Sequence, residues 1–310
     1  MSNSTTKAVR FHEYGGLEKL VVDEVARPAP KANEVLIRMK SAGVNPADWK
    51  FRAGYMKDFA PIPLPWTSGL DGAGVVEAVG AEAKSFRPGQ AVFGIITGSY
   101  AEYAVAAAGD IVAKPDQITF EQAAAVPVGA LTAWQAIIED AQAHDGQRIL
   151  VLGAAGGVGL FAVQLAKWKG ASVTGTASAA NLAYVRSLGA EAAIDYSSPS
   201  EVAKLEGFDV VLDTVGGETL ESAWRMVKRG GLLLSIAGMV DPKRAEGLGI
   251  RAKYTGRAAT SHIAQITELI QSKKVVPKVG KVFPLTDARK AQELSQTGHG
   301  TGRIVLHIAD

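Results

Sequence analysis

The chain has 310 residues, 47% hydrophobic and 21% charged, with 34 glycines; a polypeptide of this size and make-up divides into two domains and is neither disordered nor fibrous. Lys and Arg total 33 against 31 Asp and Glu, a formal net charge of +2 without basic runs, so neither nucleic acid nor a membrane surface is an expected partner. With no cysteine, disulfides, thiolate nucleophiles and cysteine-bound zinc are excluded.

Met1 to Lys7 is polar and lacks the apolar stretch of a signal peptide, and no long apolar run follows, so a cytoplasmic protein is expected. From Lys7 to about Pro115, short runs rich in Val, Ile and Tyr alternate with Gly and Pro, as in Glu34 to Lys40, Gly74 to Val79 and Ala101 to Val105, which predicts a mainly β segment. At Thr119 the texture becomes Ala-rich and helical up to about Ala143, with a break or kink expected at Pro127-Val-Gly129. Apolar strands then alternate with helical patterns: Ile149 to Leu152, Val173 to Thr176, Ala192 to Ile194, Val210 to Leu212, Leu232 to Ile236 and Ile250 to Tyr254. Continuous apolar strands separated by helices predict a parallel sheet covered on both faces. The tail reads as helix His262 to Ser272, a strand near Lys281 to Phe283, helix Asp287 to Leu294 and strand Arg303 to His307, and is expected to return to the first domain.

The segment Ile149-Leu-Val-Leu-Gly-Ala-Ala-Gly-Gly-Val-Gly159 joins a buried strand to a helix, with Ala154 where the strict G-x-G-x-x-G pattern has its first glycine. Backbone N–H groups of such a turn reach a pyrophosphate, which makes Ala155, Gly156, Gly157, Val158 and Gly159 candidate cofactor contacts. About 20 residues on, where an NAD-binding chain offers a carboxylate to the ribose, this one offers Thr176-Ala-Ser178 and Asn181. With no acidic group to repel it, a 2′-phosphate can accept hydrogen bonds from Ser178 and Asn181, so NADPH is the expected cofactor. The same residues are also ordinary turn formers, and no Lys or Arg stands beside them.

Six ordered blocks carry a resemblance: Gly43-Val-Asn-Pro-Ala-Asp-Trp-Lys-Phe-Arg-Ala-Gly54, Gly69-Leu-Asp-Gly-Ala-Gly-Val-Val76, Ala125 to Gln135, Ala154 to Gly159, Asp209 to Gly216 and Gly302-Arg-Ile-Val-Leu306. With them the chain resembles the medium-chain dehydrogenase/reductase superfamily, in its zinc-free quinone oxidoreductase and enone reductase branch. The resemblance implies an α/β protein with a GroES-like, mainly β catalytic domain (1–120 and 259–310) and a Rossmann doubly wound parallel-sheet domain (121–258), with the active site in the cleft between them. It also implies that Thr132 lies near the nicotinamide amide, that Ser178 and Tyr196 hold the 2′-phosphate, and that Val215, Ala237 and Gly238 touch the cofactor. Zinc-dependent relatives place Cys and His ligands where this sequence has Asn45 and Leu70, so no metal is expected. A homodimer is expected through the edge strand near Ile250–Tyr254.

Hydride addition to an electron-poor carbon leaves negative charge on an enolate or phenolate oxygen, which needs a donor where zinc relatives use the metal. Asn45, Asp48 and Lys50 are the catalytic candidates, Lys50 foremost because its charge opposes the developing anion. Where many quinone reductases have Tyr, Lys50 makes the segment similar to the Asn-Pro-x-Asp-x-Lys pattern of plant alkenal and enone reductases, which favours an enone substrate over a quinone. Each candidate also has a plain structural reading: Asn45-Pro46 initiates turns, Asp48 can cap a helix, and Lys50 can be a solvated helix lysine. Arg52 reads as an ion-pair or cleft residue. A rival function within the same family is a cofactor-binding structural or sensor protein with little turnover.

Overall fold

The computed structural model describes residues 5–58 and 60–310; the polar start at Met1 to Ser4 lies outside the described residues. Six parallel strands form one sheet in the spatial order Ala192–Asp195, Ser172–Ala177, Arg148–Leu152, Phe208–Asp213, Val227–Ser235 and Arg251–Tyr254. Side chains alternate across it. Ile149, Val151, Val210, Leu212, Leu232 and Leu234 enter one core, while Leu150, Leu152, Val211 and Leu233 enter the other. Both faces are therefore buried, which is why these strands read as unbroken apolar runs. In chain order the strands lie 3-2-1-4-5-6, so the order reverses between Arg148–Leu152 and Phe208–Asp213, and ligands of such sheets bind at the carboxyl ends there.

A second, mainly antiparallel sheet has at its centre Glu34–Val44, paired with Asp71–Val79, Tyr103–Ala107 and Arg303–His307. Val279–Pro284 adds in parallel beyond Arg303–His307, so both tail strands lie in the sheet of the N-terminal segment. Thr5–Phe11, Val21–Ala26 and Trp66–Thr67 make a smaller sheet. The expected α/β class, one doubly wound parallel sheet beside a mainly β unit, is borne out.

The Ala-rich stretch divides as its proline requires. Phe120–Ala124 is a helix capped by Thr119, whose hydroxyl accepts from the Gln122 N–H, and a new helix, Pro127–Trp134, starts with Pro127 where a missing N–H costs nothing. It continues as a π-turn over Gln135–Asp140. Side-chain bonds from Trp134 to Glu139 (3.0 Å) and from Gln135 to Asp140 (2.8 Å) span five residues, the spacing that a π-turn brings into line. The tail helix Ile263–Gln271 buries Ile263, Ile266, Leu269 and Ile270 in the core that the helix Pro127–Trp134 also lines. Among the described residues no helix is long and apolar enough to cross a membrane.

Candidate functional site

At the switch point the first strand ends in Gly153, whose φ of +80° turns the chain sharply beneath the loop after the fourth strand; a Cβ there would meet the Thr214 hydroxyl at 2.5 Å. The buried Thr176 hydroxyl accepts from the Gly153 N–H at 3.1 Å and its carbonyl from the Ala154 N–H at 2.8 Å, so Thr176 fixes the turn from the neighbouring strand. The N–H groups of Ala155, Gly157, Val158 and Gly159 find no acceptor among the described residues, whereas that of Gly156 bonds the Gly153 carbonyl. Helix Gly159–Trp168 begins there, and a Cβ at Gly159 would come within 2.2 Å of the Gly153 carbonyl, so the helix can approach the strand only as glycine. Unpaired donors at a helix start fit a dinucleotide pyrophosphate.

The other two loops at this edge are shaped by one buried carboxylate. Asp213 accepts from the Val215 and Gly216 N–H groups and from the Ser235 hydroxyl at 2.7 Å, while the Ser235 oxygen accepts from the Ala237 and Gly238 N–H groups. Asp213 and Ser235 were not singled out by the sequence, yet they set the three loop positions that were. Thr132 gives its hydroxyl hydrogen to the Val128 carbonyl at 2.7 Å, which leaves its lone pairs for an amide donor.

At the far end of the turn, Ala177 pairs with Asp195, so Ser178 and Tyr196 follow side by side at the ends of adjacent strands. Ser178 accepts from the Asn181 amide at 3.0 Å, and the Tyr196 ring is 53% exposed.

Across from the glycine turn, Asn45 precedes the helix Pro46–Arg52 and is 1% exposed. Its amide donates to Asp71 at 2.8 Å, and its oxygen accepts from Arg303 at 2.6 Å. Asp71 also accepts from the Val128 N–H at 3.0 Å and lies 3.5 Å from the same guanidinium. Burial raises the Asp71 pKa, and the Arg303 charge opposes the rise. A Cβ on Gly157 would come within 2.9 Å of Arg303 Nη1, so this one side chain spans from Asn45 to the glycine turn.

Asp48 is 3% exposed; it accepts from the Asn45 N–H at 2.8 Å, closing the start of the helix, and from the Tyr100 hydroxyl at 2.9 Å. Burial pushes its pKa up to about 7 against the opposing hydrogen bond from Asn45. Lys50 stands half-buried two residues on, its ammonium 5.6 Å from the centroid of the Trp49 ring, which meets Tyr55 edge-on at 6.0 Å. It forms no hydrogen bond or ion pair among the described residues. The structure thus joins Asn45 and Asp48 through a backbone bond and leaves Lys50 apart from both. Among the described residues Arg52 has no ion pair: at 1% exposure it donates to the Gly15 carbonyl at 2.6 Å and the Gln292 side chain at 2.9 Å, neutral acceptors, the second of which ties the helix to the tail.

Sequence reasoning also missed Asp71, Tyr100 and Arg303. Asp71 and Arg303 stood inside two of the resemblance blocks, but only the fold brings residues 232 positions apart together. Among the described residues no cluster of three or more His, Asp or Glu side chains is arranged to hold a metal.

Residues 31–116 match the alcohol dehydrogenase GroES-like domain family, and residues 188–306 the zinc-binding dehydrogenase family. The chain is 35% identical to 2-methylene-furan-3-one reductase of Solanum lycopersicum, over 98% of this chain and 79% of that protein. It is 34% identical to the chloroplastic NADPH-dependent alkenal/one oxidoreductase of Arabidopsis thaliana, over 97% and 79%. The solved quinone oxidoreductase of Coxiella burnetii superposes with a TM-score of 0.89 at 30% identity, covering 99% of this chain and all (100%) of that one.

Proposed function

The chain belongs to the medium-chain dehydrogenase/reductase superfamily, in its quinone oxidoreductase and enone reductase branch, and on that premise we propose that it is an NADPH-dependent reductase of quinones or of activated C=C bonds in α,β-unsaturated carbonyls, working without zinc. The observation that carries this reading is the position of Arg303, bonded to Asn45 on one side and adjoining the glycine turn on the other. A dinucleotide edge and a buried polar site meet at one guanidinium.

NADPH, when bound, supplies the hydride that adds to the electron-poor carbon of the substrate. The unpaired N–H groups of Ala155, Gly157, Val158 and Gly159 would hold its pyrophosphate, and Ser178, Asn181 and Tyr196 its 2′-phosphate. Asp213 and Ser235 would hold the loops carrying Val215, Ala237 and Gly238 against it, and the Thr132 lone pairs would accept from the carboxamide. Lys50 donates to the substrate oxygen as charge develops there, and the proton that completes the reduction comes from its ammonium or from water. Zinc has no place in this scheme because Asn45, at the position of a metal ligand in zinc-dependent relatives, is already engaged by a carboxylate and a guanidinium. What supports NADPH over NADH is the absence of a carboxylate side chain at Thr176, Ser178 and Asn181.

The test is NADPH oxidation by chelator-dialysed protein against a panel of enones and quinones. Turnover of either class without added metal supports the proposal. NADPH binding seen by fluorescence, with no consumption by any substrate, would overturn it in favour of a cofactor-binding protein.

A further inference from the structure

The returning tail touches the cofactor unit at three successive residues. Thr301 donates to the Asn181 side-chain oxygen at 2.5 Å, the Gly302 N–H donates to the Ala155 carbonyl at 2.9 Å, and Arg303 adjoins Gly157. Gly300 and Gly302, with φ of +135° and +74°, allow the sharp path that sets Thr301 against Asn181. Two of the contacts fall on the glycine turn. Thr301 alone reaches the adenosine end.

Three polar side chains follow one another from there: Thr301 to Asn181, then Asn181 to Ser178 at 3.0 Å. Ser178 stands last, next to Tyr196, and its hydroxyl hydrogen has no acceptor among the described residues. An amide held at one end only swings about its side-chain torsion, and a serine hydroxyl resting on it turns with it. Held at both ends, the amide keeps the Ser178 hydroxyl in place before a ligand arrives, so less ordering remains to be done on binding. An anionic oxygen set before Ser178 completes the chain, and bonds to a charged acceptor are the stronger ones.

We infer that Thr301 is a positioning residue for the cofactor's 2′-phosphate, acting through Asn181 on Ser178, so that the tail of the chain helps to read which nicotinamide dinucleotide is bound. The inference rests on the NADPH reading above. Its consequence is that part of the cofactor preference resides outside the parallel-sheet unit, in a loop that also carries Gly302 and Arg303 onto the glycine turn.

The experiment is calorimetric titration of the full chain with adenosine 2′,5′-bisphosphate and, as reference, adenosine 5′-monophosphate. Thr301→Val keeps the branched shape and removes the hydroxyl; it should weaken the bisphosphate about tenfold and the monophosphate less than about twofold, as expected for one bond in a chain ending on a charged group. Thr301→Ser should restore the affinity. Because Thr301 acts through Asn181, adding Thr301→Val to Asn181→Ala should cost nothing further. Equal losses for both nucleotides, no rescue by serine, or additive effects of the two substitutions would overturn the role of Thr301. If the unsubstituted protein binds the bisphosphate no better than the monophosphate, the NADPH reading falls and this inference with it; a preference that survives Thr301→Val removes the inference alone.

Discussion

Arg303 donates a 2.6 Å hydrogen bond to Asn45 across 258 positions of sequence, and its guanidinium sits 3.5 Å from the Asp71 carboxylate with both groups buried. One residue sets its charge beside a buried acid and reaches from Asn45 to the glycine turn. Removing one partner of a buried pair leaves the other charge uncompensated, which typically costs about 3–5 kcal/mol. Burial already raises the Asp71 pKa, so Asp71 can take up a proton and hold the cost toward the lower figure.

Arg303→Met should therefore lower the unfolding free energy in urea by about 3 kcal/mol, and Arg303→Met with Asp71→Asn should recover part of it. The single variant should also weaken NADPH binding, because its guanidinium adjoins the glycine turn. A loss below about 1 kcal/mol would show that the pair contributes no more than an exposed one.

Asp48 gives stability a pH dependence opposite to that of most carboxylates. Its pKa in the folded chain is about 7 against an ordinary 3.8, so between those values the folded state holds a proton that the unfolded state has released. Its contribution is full below about pH 4 and is lost as pH rises through 7. Asp48→Asn, which keeps an oxygen acceptor for the Asn45 N–H, has no such titration. Melting temperatures of the two proteins should diverge in favour of the variant as pH rises from 4 to 8. Parallel curves would show that Asp48 stays ionised on folding.

The parallel sheet was readable because its inner strands are buried on both faces and so announce themselves as apolar runs, and because the glycine turn carries a close approach that other residues cannot make. The candidate site was readable only in part. Ser178 and Asn181 lie within one short segment, but their link to Thr301 spans 120 positions, and nothing local in Thr301 marks it. The same holds for Asp213, whose work is done through Ser235 on another strand. Arg52 was misjudged because an arginine between apolar residues suggests a charged partner, whereas here a carbonyl and a glutamine side chain supply the acceptors.

Ser178→Asp should reverse the cofactor preference, since a carboxylate beside Asn181 repels a 2′-phosphate and accepts from ribose hydroxyls. Competition titrations should show NADPH weakened by more than about tenfold and NADH unchanged or tighter. Equal effects on the two cofactors would place the 2′-phosphate elsewhere.

The strand Arg251–Tyr254 pairs only with Val227–Ser235 among the described strands, and Tyr254 is 46% exposed upon it. An open strand edge is a ready pairing surface, and a second copy of the chain related by a twofold axis would cover it. Light scattering at micromolar concentration should give twice the chain mass, and Ala252→Pro, which distorts the edge, should halve it. A monomeric mass for the unsubstituted chain refutes the dimer.

Lys50 carries the sharpest kinetic prediction. Its ammonium faces the Trp49 ring without a carboxylate partner among the described residues, so its charge is available to a substrate oxygen. Loss of one electrostatic donor to a developing oxyanion typically costs about 10²–10³ in rate. Lys50→Ala and Lys50→Met should both lower kcat for enones by about that factor, with NADPH affinity nearly unchanged, because among the described residues no hydrogen bond or ion pair ties Lys50 to the glycine turn. The methionine variant separates charge from bulk: it keeps an unbranched side chain of similar size, so a loss shared by both variants belongs to the charge. If turnover stays within a few-fold for enones and quinones alike, Lys50 is a surface lysine of the helix Pro46–Arg52, and the N–H of the Asn45 amide that Asp71 leaves unused is the group to test next as donor to the oxyanion.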